Sequence, residues 1–591
     1  MDSALRPRRD LRPVLSSFIG MTIFAGALAL AVLFGSYNPN GPFISDAIAG
    51  FTLLIGVARN FLFDLASPPE SIILAFPQTW RGEDWIGRLD QSGAAPQVYS
   101  RFILAGIAGL VAGSIVAISV WVRTMPMPKI RLVDGPLPRV GRPANRLAKR
   151  ALAASVREHG SDIELAPGVP LSRDREIRSM MILGAQRSGK TVVLRFLMRQ
   201  LRETGAKAVI HDTKGDVTSA WPDSNAILLA PQDKRSWAWD IARDLRGRLG
   251  SAEFAAALIP PDKDSDWQKG AQLILVALIT ALQRTHGEAW GWRELYEIFR
   301  RPDAEISAIV SEHDPTAASL VVVDEEGNFT KNAVSYKNSL ISPVLQLLEP
   351  LAAAWGDIDP QYRISVRDWL SDENTTQRVL ILQRMPDFPN TSRLWMSAIL
   401  TRMIAITGGA NFPDSSTRRI WFVLDEFTQL GKIPALFDVP ATHASKGVFI
   451  AVALQSLAYA QEVYGERAKD LLATMTGTKI ILKLEAGADA KYVAEELIDM
   501  TRYQELQKVS RSDAEGKSKT VWEWKNQEKR LLMSSGFAKL GPRRGGVHGV
   551  TLGLDDGNPY ELFWPFETWP SQRPGSVRAN WVDAVPPQQE E

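Results

Sequence analysis

Residues 177–191 read Ile177-Arg178-Ser179-Met180-Met181-Ile182-Leu183-Gly184-Ala185-Gln186-Arg187-Ser188-Gly189-Lys190-Thr191. Ile177 to Leu183 reads as a strand, and Val192 to Leu201 has the apolar spacing of a helix. Between them Gly184, Ala185, Gln186, Arg187, Ser188, Gly189, Lys190 and Thr191 form a Gly-rich octet ending in Lys-Thr. Strand, Gly-rich loop and helix is the context in which backbone N–H groups cradle phosphates at a helix N-terminus. In that role Lys190 reaches the β- and γ-phosphates of ATP, and Thr191 holds Mg²⁺.

A phosphate site of this kind needs a carboxylate pair, and Arg419-Ile420-Trp421-Phe422-Val423-Leu424-Asp425-Glu426-Phe427 supplies one. The apolar run predicts a buried parallel strand with both acids at its carboxyl end. Asp425 is then the candidate second Mg²⁺ residue, acting through water, and Glu426 the candidate general base. Alone, such an Asp-Glu is equally a helix cap or a surface pair; the octet favours the chemical reading. Lys207–211, 378–383, 449–454 and 479–484 predict further strands. The 449–454 run leads into Gln455, a candidate catalytic sensor of the γ-phosphate and, on local grounds, equally a strand-terminal hydrogen-bonder. Strands alternating with helices predict an α/β, RecA-like P-loop NTPase with a doubly wound, mainly parallel sheet. From Ile241 to about residue 356 the strand signal fades, and 251–258, 266–284, 292–300, 304–313 and 332–355 read as helices of an inserted all-α domain.

Two stretches match a membrane span. Val14 to Gly35 and Phe102 to Val122 carry no charge. Arg6, Arg8, Arg9 and Arg12 precede the first, and Arg123, Lys129, Arg131, Arg139, Arg142, Arg146, Lys149 and Arg150 follow the second. The stretch between holds Arg59, Arg81, Arg88 and Arg101 against six acids. Both ends are therefore expected in the cytoplasm and the loop outside. Ile48 to Ala58 reads as a short periplasmic or interfacial helix, and Gly106, Gly109 and Gly113 suggest close packing of the second span in an oligomer. The expected organisation is 1–13 cytoplasmic, 14–35 and 102–122 spanning, 36–101 periplasmic, 123–174 a basic linker, 175–240 and 359–580 nucleotide-binding, 241–358 all-α, and 581–591 a tail.

Composition adds exclusions. The chain has 591 residues, 45% hydrophobic and 23% charged, with a net charge of +2 and no cysteine. Disulfides, thiolate chemistry and Cys-ligated zinc are excluded, and any nucleic-acid surface must be local. Lys508, Arg511, Lys517, Lys519, Lys525, Lys529 and Arg530 cluster with Trp522 and Trp524, as single strands require. Interleaved Asp513, Glu515, Glu523 and Glu528 fit an ordinary solvated face as well.

The ordered set of motifs resembles the type IV secretion coupling proteins, the TraD/TrwB-like conjugative DNA pumps. Besides the anchor and the octet, it includes His211-Asp212-Thr213-Lys214-Gly215-Asp216 in place of a Tyr-Asp-x-Lys-Gly-Glu element, and Asp266-Trp267-Gln268-Lys269-Gly270-Ala271 in place of Phe-Trp-x-x-x-Ala. It continues through Val366-Arg367-Asp368-Trp369-Leu370, Asp425-Glu426-Phe427 with Leu430-Gly431, Gln455-Ser456 and Tyr464-Gly465. The resemblance implies a homo-hexameric ATPase, multi-pass in the bacterial inner membrane with its ATPase domain in the cytoplasm. It implies cargo of single-stranded DNA with bound relaxase (the relaxosome), moved toward a type IV secretion channel. An ATPase of the same build recruiting protein effectors, or a nucleotide-dependent scaffold, shares the motifs. Ala444 stands where the family carries an Arg that reaches a neighbour's nucleotide. Lys446 or His443 is the candidate replacement, and a helix cap is the competing role for Lys446. The chain ends Pro586-Pro587-Gln588-Gln589-Glu590-Glu591, so docking through a long acidic tail is not expected.

Overall fold

The computed structural model describes residues 12–35, 95–123, 130–141, 143–259, 266–498, 500–512 and 518–583. The expected helix at 48–58 and most of the 36–101 loop lie outside them. The chain divides into two compact units, Met1–Val133 with Tyr503–Gln527, and Asp134–Arg502 with Glu528–Glu591.

In the first unit, helix Arg12–Gly35 packs against helix Ala95–Arg123. The pair is antiparallel, since Gly26 lies by Ala105 while Gly113 lies by Phe18. A methyl group on Gly109 would fall 2.7 Å from the Thr22 carbonyl oxygen, so this glycine lets the backbones touch. Of the three glycines expected to serve an oligomer, Gly109 and Gly113 are thus taken by the chain's own first helix, while Gly106 faces open space. Among the described residues one segment, Ile103–Trp121, is long and apolar enough to cross a membrane. The first helix, Arg12–Gly35, has 24 residues, and its apolar stretch among the described residues is Val14–Ala29. Of the two expected spans, one therefore meets that test among the described residues.

The second unit is built on a ten-stranded sheet. Its strands are β1 Met180–Leu183, β2 Lys207–Asp212, β3 Ala226–Leu229, β4 Val379–Gln383, β5 Ile420–Leu424, β6 Val448–Leu454, β7 Thr478–Ile481, β8 Gly541–Arg543, β9 Gly546–Leu552 and β10 Tyr560–Pro565. Parallel pairing runs β3-β4-β2-β5-β6-β1-β7. β9 then adds antiparallel to β7 and pairs with β8 and β10. Alternate residues enter two different cores. Met181, Leu183, Phe422 and Leu424 join one; Met180, Ile182, Trp421 and Val423 join the other. That is why these strands read as unbroken apolar runs. Helix Lys190–Thr204 packs in the second core and ends on Gly205, while helix Pro389–Gly408 packs in the first.

Three readings change. The strand before the phosphate loop starts at Met180; Arg173–Ile177 is a short helix, followed by Ser179 at φ 56°. Much of the stretch expected as a linker is folded. It carries helices Ala144–Ala151 and Ala153–His159 and the hairpin Ile163–Ala166/Val169–Leu171, tied down by Trp564 Nε1 donating to the Leu165 carbonyl oxygen at 2.9 Å. Its basic residues Lys149 and Arg150 line the outside of a helix whose inner face is Ala144, Ala148 and Leu152. The antiparallel strands β8 to β10 carry no signal of their own in the sequence reading.

Between β3 and β4 run helices Gly247–Leu258, Asp266–His286, Trp292–Phe299, Asp303–His313 and Lys331–Trp355. They share one continuous core with a face of the sheet. The segment leaves and returns side by side, Ala238–Trp239 pairing parallel with Arg363–Ile364. Trp239, Trp292, Trp355 and Trp395 follow one another at ring separations of 5.8, 5.6 and 5.5 Å. At this neck lies Asp244, fully buried, whose carboxylate accepts from Trp239 Nε1 (2.7 Å), Ser365 Oγ (2.7 Å), Val366 N (2.8 Å) and Arg367 N (3.1 Å). Burial raises its proton affinity, and these four donors work against that. Asp244→Leu leaves the donors unsatisfied and is expected to destabilise the unit by about 2–4 kcal/mol, read as a lowered denaturation midpoint.

Candidate active site

Every parallel strand ends at one edge of the sheet, and the sequence-derived site residues gather there. Gly184 follows β1, Asp425 and Glu426 follow β5, and Gln455 follows β6, which lies between those two strands. The phosphate loop is held by its neighbours: Gly184 N donates to the Leu454 carbonyl oxygen (3.2 Å) and Ala185 N to that of Lys483 (2.8 Å). Arg187 at φ 59° and Gly189 at φ 100° turn the chain into helix Lys190–Thr204. Gln186, Arg187 and Thr191 are exposed, Ala185 and Gly189 half-buried, and Gly184 and Ser188 buried.

Lys190 is only 7% exposed, and its ammonium is fully engaged. Its Nζ donates to the carbonyl oxygens of Gly184 (3.0 Å) and Ala185 (3.4 Å) and lies 3.2 Å from Glu426 Oε1. The same Oε1 accepts from Gln455 Nε2 at 2.9 Å. Three residues singled out from separate strand ends thus meet on one carboxylate oxygen. Glu426 has φ 49°, a left-handed conformation that a glutamate adopts only under constraint. Part of the constraint is Tyr464. Its hydroxyl donates to the Gly431 carbonyl oxygen (2.9 Å) and accepts from Ile433 N (3.2 Å), and its ring stacks on Phe427. The short motifs Phe427, Leu430-Gly431 and Tyr464 are therefore one contact that fixes the loop after β5.

Asp425 is half-buried, and its Oδ1, which is buried, has no hydrogen-bond partner. Burial pushes its carboxyl up to about 6, with Glu426 adding and Lys190 and Lys214 opposing. His211, at the end of the neighbouring β2, is fully buried and held down to about 4 by that burial. It is neutral, and because a carbonyl only accepts, its Nδ1 carries the proton donated to the Asp425 carbonyl oxygen at 2.5 Å. The sequence reading assigned His211 no such role; its place beside Leu424 in the β2–β5 register is what brings it there.

Ala444, His443 and Lys446 lie before β6, at the opposite end of that strand from Gln455. Lys446 Nζ donates to the carbonyl oxygens of Gly408 (3.2 Å) and Gly409 (2.7 Å), capping helix Pro389–Gly408. His443 is buried and bonds the Ile404 carbonyl oxygen at 3.0 Å. Ala444 lines a hollow of about 430 Å³ with Arg173, Arg418 and Arg419. The basic, aromatic cluster falls on strands Met500–Ser512 and Ser518–Arg530; Lys525 and Lys529 are exposed, and Lys517 lies outside the described residues.

The Asp425 carboxyl is expected to titrate near pH 6, ionised above and protonated below. Carboxyl infrared difference spectroscopy reads this directly. Asp425→Asn removes the band, and Lys190→Ala moves its midpoint to higher pH, because a cation that favours the carboxylate is gone.

A family model described as the type IV secretion-system coupling protein DNA-binding domain matches residues 164–556. Among curated proteins, the coupling protein TraD of Escherichia coli (strain K12) is 24% identical over 353 residues, 58% of this chain and 47% of TraD. The chain thus spans about half the length of that relative. Among solved structures, the bacterial conjugative coupling protein TrwBdeltaN70, in an unbound form, matches with a TM-score of 0.61 at 21% identity over 77% of this chain and 98% of that one. The plasmid coupling protein TrwB in complex with ADP and Mg²⁺ matches at 0.60, with 20% identity and the same coverage of each chain. At those identities the structures establish the α/β P-loop-like fold. With that fold, the strand-end cluster and a family match over most of the second unit, the chain belongs to the type IV secretion-system coupling proteins of the TraD/TrwB type.

Proposed function

We propose that the chain is the inner-membrane coupling ATPase of a type IV secretion or conjugation system, which recruits relaxase-bound single-stranded DNA and drives its transfer by ATP hydrolysis. The observation that carries the reading is the meeting of Lys190, Glu426 and Gln455 beside the unsatisfied Asp425. The solved TrwB complex with ADP and Mg²⁺ supports the choice of ligand. On this reading the two antiparallel apolar helices are the anchor and the working form is a hexamer, while the family supports a role in a type IV secretion system.

The residues suit MgATP. Asp425 Oδ1 is a buried oxygen that a cation would satisfy, and Thr191 stands at the start of the phosphate-loop helix. Among the described residues no group of three His, Asp or Glu could hold a metal alone, so phosphate and water ligands would complete the shell. Bound Mg²⁺ supplies charge neutralisation on the phosphates. Lys190 would exchange Glu426 for the terminal phosphate. Glu426, released from the ammonium but still held by Gln455, would take a proton from the attacking water.

Turnover of the full chain in lipid nanodiscs tests this. Lys190→Ala is expected to abolish hydrolysis, and Glu426→Gln to bind ATP yet turn over at least about 100-fold slower. Single-stranded DNA is expected to raise the parental rate; a rate indifferent to DNA would favour protein cargo. Near-parental turnover by Glu426→Gln would remove Glu426 from its role.

The anchor has its own test. Lacking cysteine, the chain accepts single introduced ones. An impermeant thiol reagent on intact cells is expected to label Gln78→Cys and to spare Glu158→Cys, whose side chain is 76% exposed on the proposed cytoplasmic side. The reverse pattern would invert the topology.

A further inference from the structure

The carboxyl end of β2 carries a cation that the mechanism above leaves unused. Strand order places β2 next to β5, on the side away from β6 and β1. Adjacent strands lie about 4.8 Å apart, so the loop after Asp212 borders Asp425 and Glu426 from the side opposite the phosphate loop. In that loop stands Lys214, exposed, its ammonium without a hydrogen bond or ion pair among the described residues. The Lys190 ammonium approaches the same carboxylates from the other side.

The backbone under Lys214 is held with unusual thoroughness. Asp212, 3% exposed, spends its carboxylate on the loop. Its Oδ1 accepts from Gly215 N (2.9 Å) and Lys214 N (3.3 Å), and its Oδ2 from Thr218 N and Thr218 Oγ1 (both 2.8 Å). From above, the segment 572–579 crosses the ends of β2, β4 and β3 as a strap. Gln572 N donates to the Ser219 carbonyl oxygen (2.8 Å), and Gln383 Nε2 to that of Gly575 (2.8 Å). Val577 N donates to Asp233 Oδ2 (2.7 Å), and Ala579 N to the Gln232 carbonyl oxygen (2.8 Å). Gly215, at φ 80°, lies so close beneath that a methyl group on it would stand 2.7 Å from the Gly575 carbonyl oxygen. A lysine is a point charge on a flexible stem, so what fixes its reach is the backbone that carries it.

We propose that Lys214 is a phosphate-binding cation of the nucleotide site, directed at the terminal phosphate, and that the strap through Gly575 positions it. The proposal rests on the ATPase reading and adds a residue to it. Lys214 flanks the carboxylates where the terminal phosphate is handled, so its charge discriminates a triphosphate from a diphosphate. A change in the strap reaches the nucleotide through the loop it presses on.

The test compares the full chain in nanodiscs with Mg²⁺ present, binding a nonhydrolysable ATP analogue and ADP, by calorimetry. Lys214→Ala is expected to weaken the analogue at least about tenfold and ADP less than about twofold. Lys214→Arg keeps most of the analogue affinity. Gly575→Val, which drives a side chain against the Gly215 backbone 2.8 Å away, is expected to reproduce the loss and to add nothing to Lys214→Ala in the double variant. Parental affinity for the analogue in Lys214→Ala overturns the proposal. Equal losses for both nucleotides overturn the assignment to the terminal phosphate, and additive losses in the double variant overturn positioning by the strap. A parental chain that binds neither nucleotide overturns the ATPase reading itself, which no result on Lys214 alone would do.

Discussion

A parallel sheet covered on both faces has only its strand ends in reach of water. In this chain seven strands run the same way, and their side chains are consumed by two cores. Polar chemistry is thereby confined to two edges. At the carboxyl edge the loops after β1, β5 and β6 bring Lys190, Asp425, Glu426 and Gln455 together, and the loop after β2 ends at the same edge. The amino edge, with Arg173, Arg418 and Arg419 around Ala444, is separated from it by the strands themselves, about 17 Å for a five-residue strand. A group at that edge cannot serve the nucleotide site of its own chain, so any use of it in catalysis requires a neighbouring copy.

The same geometry explains what the sequence disclosed. The phosphate loop, the Asp425-Glu426 pair and Gln455 were legible because each is a local signal, an apolar run followed by a polar residue. The parallel sheet then decides that such run-ends converge. The five long helices between β3 and β4 were legible from their period. What escaped the reading is set by contacts distant along the chain. Trp564 pins the 163–171 hairpin, which composition presents as part of a basic linker. Gly575 covers Gly215, and Tyr464 holds Gly431, pairs that no window of sequence contains. The small residues of the second apolar helix stand out in the sequence, but the partner of Gly109 and Gly113 is the chain's own first helix, at Phe18, Thr22 and Gly26.

Strand β2 joins two parts of the molecule. At its start Lys207, buried and pushed down to about 8 by that burial, donates to the carbonyl oxygens of Trp369, Leu370 and Asp372. That helix, Val366–Ser371, is capped at its other end by Ser365 and by Asp244 at the neck of the helical segment. At the finish of β2 lie His211, bonded to the Asp425 backbone, and the loop carrying Lys214. A rigid strand six residues long therefore runs from the support of the helical segment to the carboxylates of the nucleotide edge. A displacement at the neck has a physical route to the site, through packed backbone and not through a mobile loop.

On the proposed reading, the pairing of Glu426 with Lys190 sets the resting state. A carboxylate oxygen engaged by an ammonium at 3.2 Å and by an amide at 2.9 Å is not free to serve as a base, because both partners occupy the place where a water would donate. It becomes a competent one only when a stronger anion claims Lys190, and the terminal phosphate is that anion. Base and cation are thus released by one event, the arrival of substrate, while Gln455 and the Tyr464 contact keep Glu426 in its left-handed seat. The strain at Glu426 has a use in that account. Relaxation of the loop after β5 would carry the carboxylate away from both Lys190 and Gln455 together, so the loop's rigidity holds base, cation and sensor in a single arrangement.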